Sequence, residues 1–230
     1  METYNPDDQL QQLRQWLRDN GPALLAGLLL GAALVAGWSG WKFYSARQAL
    51  QASAEYEHLR RVLQSADGEH GGAQGRAAHA EQIVATLTGR YARTPYAALG
   101  ALTLAADQVR RSQHEAALEQ YAWVRENARD RKLRHVARLR RARLLWSLGR
   151  SEEALAELQV RKAGSFTALF AELRGDILAA QGRRDEARQA YAEALAAADY
   201  APELRAGIEL KLNDLSTEAA SASPTVTGVR

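Results

Sequence analysis

The sequence predicts an all-α protein, a single apolar N-terminal helix followed by an array of helical hairpins. Three features carry this. The 230 residues include 46 Ala, and only 7% are aromatic. Ala is the best helix former and lets helices approach closely. One long segment near the start holds no charge. Beyond residue 42 the apolar spacing is helical, without the alternation of strands, and a motif recurs at a fixed period.

The first element is the short segment of residues 1–20. Leu10, Leu13, Trp16 and Leu17 share one helical face, Pro6 stands at a helix-start position, and Asp7 and Asp8 favour the positive helix end. This predicts a short amphipathic helix, suited to a membrane surface or a partner.

Residues 21–42 follow. The stretch Gly21 to Trp41, GPALLAGLLLGAALVAGWSGW, is uncharged. Its length gives about 30 Å as a helix, the thickness of a bilayer core. Trp38 and Trp41, with Tyr44, would lie at headgroup level, and Lys42 can snorkel. A cleaved signal peptide is disfavoured: the apolar core is too long, the preceding residues are net acidic, and no small-x-small site precedes a polar start. A membrane-spanning helix from Pro22 through Trp41 is therefore expected. Within it Gly27 and Gly31, with Ala23, form a small-residue stripe of the kind that seats partner helices, though Gly is common in membrane helices generally. Arg14 and Arg18 before the span are balanced by Lys42 and Arg47 after it, so charge leaves the orientation open.

Residues 43–92 read as a membrane-proximal helical pair. One helix is expected from Phe43 to Ser65, either separate from or continuous with the membrane helix, and another from Arg76 to Arg90, joined by a flexible loop, GEHGGAQG, at 68–75. The loop lacks the Gly-Lys-Ser/Thr ending of a phosphate loop.

Residues 93–215 hold the repeats. Ala142, Leu145, Gly149, Ala154 and Leu158 recur 33 residues later as Gly175, Leu178, Gly182, Ala187 and Tyr191. This order resembles the tetratricopeptide repeat, whose period is about 34. Small residues belong where helices cross, and Gly149 and Gly182 suit a left-handed C-terminal turn. A weaker copy comes earlier in Ala105, Ala117 and Tyr121, with Ser112 at the turn position. Ala201 to Leu215, after Pro202, is expected to cap the stack. The tail 216–230 is small, polar and aperiodic, and is read as disordered.

No catalytic, metal or cofactor constellation emerges. With no Cys, thiolate zinc sites and thiol catalysis are excluded. His58, His70, His79, His114 and His135 form no HxxxH or HExxH pair and are read as exposed or capping residues. A net charge of +3 does not announce nucleic-acid binding. The basic runs Arg129-Arg131-Lys132-Arg134 and Arg138-Arg140-Arg141-Arg143, with acids nearby, are read as a solvated helix face rather than a lipid or nucleic-acid contact.

The remaining candidate is the inner face of the stack. In the repeat register it carries Leu99, Leu102 and Val109, then Leu139, Arg143 and Trp146, then Leu169, Glu172 and Asp176. Such a face suits an extended polypeptide or a partner helix. The competing reading is that Leu139 and Trp146 simply pack against a neighbouring helix.

Four segments carry a resemblance to one family: YNPDDQLQQLRQWLRDNG (Tyr4 to Gly21), GWSGWKFY (Gly37 to Tyr44), RTPYAALGALTLA (Arg93 to Ala105) and FAELRGDILAAQG (Phe170 to Gly182). In this order, over nearly the whole chain to Leu215, they resemble the YfgM family, ancillary subunits of the bacterial SecYEG translocon. The loose loop near residue 70 and the longer tail depart from the family. The resemblance implies a non-enzymatic, single-pass inner-membrane protein with its first 20 residues cytoplasmic and residues 45–230 periplasmic. It implies association with SecYEG and with the membrane-anchored periplasmic chaperone PpiD, and contact with unfolded secreted proteins, without cofactor or nucleic acid. A repeat scaffold for envelope or cell-wall assembly enzymes would use the same architecture.

Overall fold

The computed structural model describes residues 6–65, 72–198 and 201–221, with side chains at all of these positions except 6–13, 15, 17, 19, 22–24, 26 and 216–221. Nine α-helices and one short 3-10 turn, Gly164–Phe166, make up the described residues, with no strand among them.

Helix α1 runs from Pro6–Gln64, 59 residues without interruption. The amphipathic segment, the apolar segment and the helix expected from Phe43 are thus one element. The chain divides into two compact units, Met1–Gln51 and Ala52–Arg230.

In the first unit the described side chains of the apolar segment are exposed. Leu28, Leu29 and Leu30, which follow one another at about 100° steps around the helix, are 70%, 69% and 67% exposed. The aromatic end is built as its composition suggests. The Trp38 and Trp41 rings lie 5.8 Å apart, Lys42 Nζ sits 5.6 Å from the Trp38 ring, and the Arg47 guanidinium covers Phe43. A Cβ added at Gly27 or Gly31 would meet nothing within 4 Å. Among the described residues no helix is long and apolar enough to cross a membrane. The expected span takes in Pro22, Ala23, Leu24 and Ala26, whose side chains lie outside the described set.

In the second unit one core collects Ala52, Leu59 and Val62 from the end of α1 and residues from every later α-helix. Those helices are α2 (Gly72–Arg90), α3 (Pro95–Arg110), α4 (His114–Asn127), α5 (Arg131–Ser147), α6 (Ser151–Leu158), α7 (Thr167–Ala180), α8 (Arg184–Ala196) and α9 (Pro202–Ser221). Helices α3/α4, α5/α6 and α7/α8 pack as successive hairpins, α3, α5 and α7 also touch one another in order, and α9 packs on α8. Two edges differ from expectation. Helix α2 begins at Gly72, inside the loop expected at 68–75, while residues 66–71 lie outside the described set. Helix α9 runs six residues past Leu215 to Ser221, and 222–230 lie outside the described set.

The repeat register is reproduced in detail. Ala142, Ala154 and Ala187 are wholly buried, as are Ala105 and Ala117 of the weaker copy. A Cβ at Gly175 would meet the Tyr191 ring at 2.5 Å, so the bare backbone there makes room for the aromatic residue of the paired helix. The turns share one construction. Gly149 and Gly182 have φ of 77° and 74°. Their N–H groups donate to Trp146 O and Ala179 O, and the next residues, Arg150 and Arg183, donate to Leu145 O and Leu178 O. That is the paired Schellman closure, which satisfies carbonyls otherwise orphaned at a helix end.

The weaker copy closes identically. Ser112 N donates to Val109 O, Gln113 N to Gln108 O, and Ser112 stands at φ 59°. A non-glycine residue there costs about 1–2 kcal/mol, part of which Gly returns through its freer unfolded chain. Ser112→Gly is therefore expected to stabilise the protein by about 0.5–1 kcal/mol. Equilibrium urea unfolding of the full chain checks this, and a lowered midpoint would contradict it.

Candidate functional site

Seven of the nine residues expected on the inner face separate into three groups. Leu102 and Leu139 are buried in the core, where they join helices to one another. Val109, Trp146 and Leu169 are half-buried and pack against that core, and Leu99 is half-buried beside them in sequence on α3. Arg143 is exposed. The competing reading therefore holds for Leu139, while Trp146 keeps part of its surface open.

The acidic end of the face is engaged by the chain itself. Lys211 on α9 donates to Glu172 Oε1 at 2.7 Å and to Asp176 Oδ2 at 2.9 Å. Tyr191 on α8 donates its hydroxyl to Asp176 Oδ1 at 2.8 Å. Burial, then the bond to Asp176, pushes the Tyr191 phenol above its usual range. Burial works against the Lys211 charge, but the bonds to Asp176 and Glu172 outweigh it and raise its pKa. Glu172 and Asp176 thus anchor the capping helix, and the open part of the face lies around Leu99, Arg143, Trp146 and Leu169.

A second set of charges runs along the turns. Arg150, after the Gly149 turn, pairs with Glu153 and with Glu115 of the preceding hairpin, at 2.7 Å and 2.9 Å. Arg183, after the Gly182 turn, pairs with Glu186 at 2.6 Å and reaches Glu152 of the preceding hairpin at 3.7 Å. The second and third hairpins are each linked to their predecessor by an arginine at the same position. Exposed pairs contribute little each, so this ladder sets register more than stability.

The basic runs are not simply solvated. Glu157 on α6 is 6% exposed, and Arg125 of α4 and Arg138 and Arg141 of α5 all converge on it. Arg134 donates to Ala128 O at 2.9 Å. Arg131, Lys132, Arg140 and Arg143 do face solvent. His135 is also not an exposed or capping residue. It is 7% exposed, with its ring 5.4 Å from Phe166 and 5.6 Å from Phe170. Burial, then Arg138, Arg131 and Arg134, lowers its pKa, so the ring is neutral at pH 7. His58 and His79 pair edge to face, 5.0 Å between centroids. Among the described residues no cluster of three His, Asp or Glu is placed to hold a metal.

An array of stacked helical hairpins is the architecture of a helical repeat protein. The match to known proteins is in keeping with it: residues 14–217 match the tetratricopeptide repeat-like domain family. The chain belongs to that family. The match takes in the hairpins α3/α4, α5/α6 and α7/α8 and α9 as far as residue 217. The chain is 30% identical to the ancillary SecYEG translocon subunit of Escherichia coli, over 94% of this chain and 100% of the relative. It is 28% identical to the protein of that name in Haemophilus influenzae, over 91% of this chain and 97% of the relative. It is 26% identical to the one in Neisseria gonorrhoeae, over 90% and 95%. These relatives bear out the resemblance carried by the tail, the aromatic exit and the LRGD segment. The family is of a non-enzymatic kind. No solved structure matches the chain.

Proposed function

We propose that this protein is an ancillary subunit of the SecYEG translocon, without enzymatic activity. The apolar part of α1 spans the inner membrane, the N-terminus lies in the cytoplasm, and the helical array lies in the periplasm. There it binds emerging secreted polypeptides and the membrane-anchored chaperone PpiD, and passes one to the other. The observation that carries this reading is similarity along almost the full length of relatives that bear the translocon name, including the apolar segment. The exposure of that segment on every side supports the membrane part, because a soluble surface does not keep so long an apolar stretch uncovered. The mechanism is proximity. A tether raises the local concentration of a weak binder at the channel exit, so modest groove affinity suffices.

Photo-crosslinking in intact cells tests the proposal. A photoreactive residue replaces Trp146, Leu169 or Leu99, one at a time. Crosslinks to SecY, PpiD or nascent secreted chains are expected from at least one position. Crosslinks confined to cell-wall assembly enzymes would overturn the reading in favour of an envelope scaffold.

A further inference from the structure

The loop end of the second hairpin holds a cleft of about 330 Å³ lined by Arg125, Arg131, Arg134, His135, Arg138 and Lys162, with Val160 as its apolar wall. It stands apart from the inner face and from the glycine turns. Five of its seven lining residues are cationic and none is acidic. Two carboxylates outside the lining reach its arginines: Glu157, engaged by Arg125, Arg138 and Arg141, and exposed Glu126, paired with Arg125; Arg131, Arg134 and Lys162 have neither. Arg131 and Lys162 are exposed and make no ion pair among the described residues. Gathering like charges in this way is unfavourable unless an anion completes the site.

The second observation is His135. Both ring nitrogens, Nδ1 and Nε2, are buried and have no hydrogen-bond partner among the described residues. Buried polar atoms are almost always partnered, and this imidazole borders the cleft. The imidazole therefore brings to the cleft wall a donor that no group of the described protein uses.

We propose that this cleft binds a phosphate group. Three considerations favour phosphate over a carboxylate side chain. The donors come from α4, α5 and the segment after α6, so they surround the site, which suits a tetrahedral oxyanion more than a planar one. Arginine forks match phosphate geometry with two parallel bonds each. The excess of positive charge exceeds what one carboxylate neutralises. The phosphate has two sources, a free inorganic or monoester phosphate and the phosphodiester of a lipid headgroup, and the chemistry of the cleft is the same for both.

The test uses the full chain in uncharged detergent micelles with 15N-labelled histidine. The His135 signal is assigned by its loss in His135→Gln. Inorganic phosphate and glycerophosphoglycerol, a soluble phosphodiester headgroup, are titrated against chloride at matched ionic strength. The expected result is a saturable shift of the His135 signal with at least tenfold tighter binding than chloride, weakened at least tenfold in R131A/K162A. Both substituted residues are exposed, so the fold is preserved. Saturation by inorganic phosphate alone supports the site and names a free phosphate. Equal or tighter saturation by the phosphodiester supports it and names a lipid headgroup. A shift produced by a glutamate-rich peptide but by neither phosphate would overturn the assignment, as would no shift beyond that of chloride.

Discussion

Glu157→Ala is expected to lower the unfolding free energy by about 3 kcal/mol, the largest loss for any polar substitution in the helical array. Removing one partner of a buried ion pair costs about 3–5 kcal/mol, because the remaining charge loses its compensation in a poorly solvated place. Here the loss leaves Arg138 and Arg141 without a carboxylate and Arg125 with exposed Glu126 alone; the three side chains are 32%, 18% and 26% exposed. Their partial contact with solvent puts the estimate at the lower end of that range. The carboxylate also joins three helices, α4, α5 and α6, and α6 has only eight residues to hold its own place. Glu157→Gln keeps the shape and one acceptor and is expected to cost about half as much. Glu126, exposed and paired with Arg125 alone, is the control: Glu126→Ala is expected to change stability by less than about 0.5 kcal/mol. Urea unfolding of the three variants decides the matter. Equal effects of Glu157→Ala and Glu126→Ala would show that the buried cluster contributes nothing.

The backbone of the array was legible because its turns impose a requirement that only certain residues meet. A helix that ends in a left-handed residue calls for Gly, and Gly149 and Gly182 stand 33 positions apart with wholly or nearly buried partners at matching offsets. Ser112 was placed at the same turn by spacing alone, and it adopts the same left-handed backbone despite its side chain. Small residues were legible for a related reason. Gly175 and Tyr191 are a matched pair, one lacking the volume that the other supplies. The ends of α1 and α9 were less legible. Helix-end signals are weak, so the sequence leaves the join at residue 42 open between one helix and two, and marks neither the join at residue 20 as continuous nor Leu215 as interior to a helix.

The candidate site was legible in outline and not in detail. A helix in a stack buries two faces, one against its hairpin partner and one against the next hairpin. Apolar spacing therefore selects Leu102, Leu139 and Trp146 alike, although the first two are enclosed and the third is half-open. Glu172 and Asp176 fitted a groove wall, but their partner Lys211 lies 35 or more residues on, and no local pattern joins them. The same distance in sequence hid Glu157 from Arg125 and Arg141, at 32 and 16 residues. Charges clustered along one helix look solvated when read singly; the acid that buries them sits on another element. The burial of His135 is hidden in the same way, since Phe166 and Phe170 come from the turn before α7 and from α7 itself.

The double substitution L30R/L34R is expected to release the protein from the membrane fraction. An arginine at the centre of a spanning helix costs about 2.5–3.5 kcal/mol on the insertion scale, so two cost about 5–7 kcal/mol. That corresponds to more than a thousandfold shift against insertion at 1.4 kcal/mol per factor of ten. Leu30 and Leu34 are one helical turn apart and 67% and 68% exposed, so neither supports packing within the chain. The substitution therefore changes the relation of α1 to its solvent and leaves the core from Ala52 onward untouched. The unsubstituted protein is expected to stay in the pellet after alkaline carbonate extraction, and L30R/L34R to pass into the supernatant. Leu210→Arg is the matched control, because Leu210 is 64% exposed but lies on α9, and its fractionation should not change. A doubly charged α1 that still resists carbonate would mean that this segment is not what holds the protein to the membrane, and the proposed tether at the translocon would lose its physical basis.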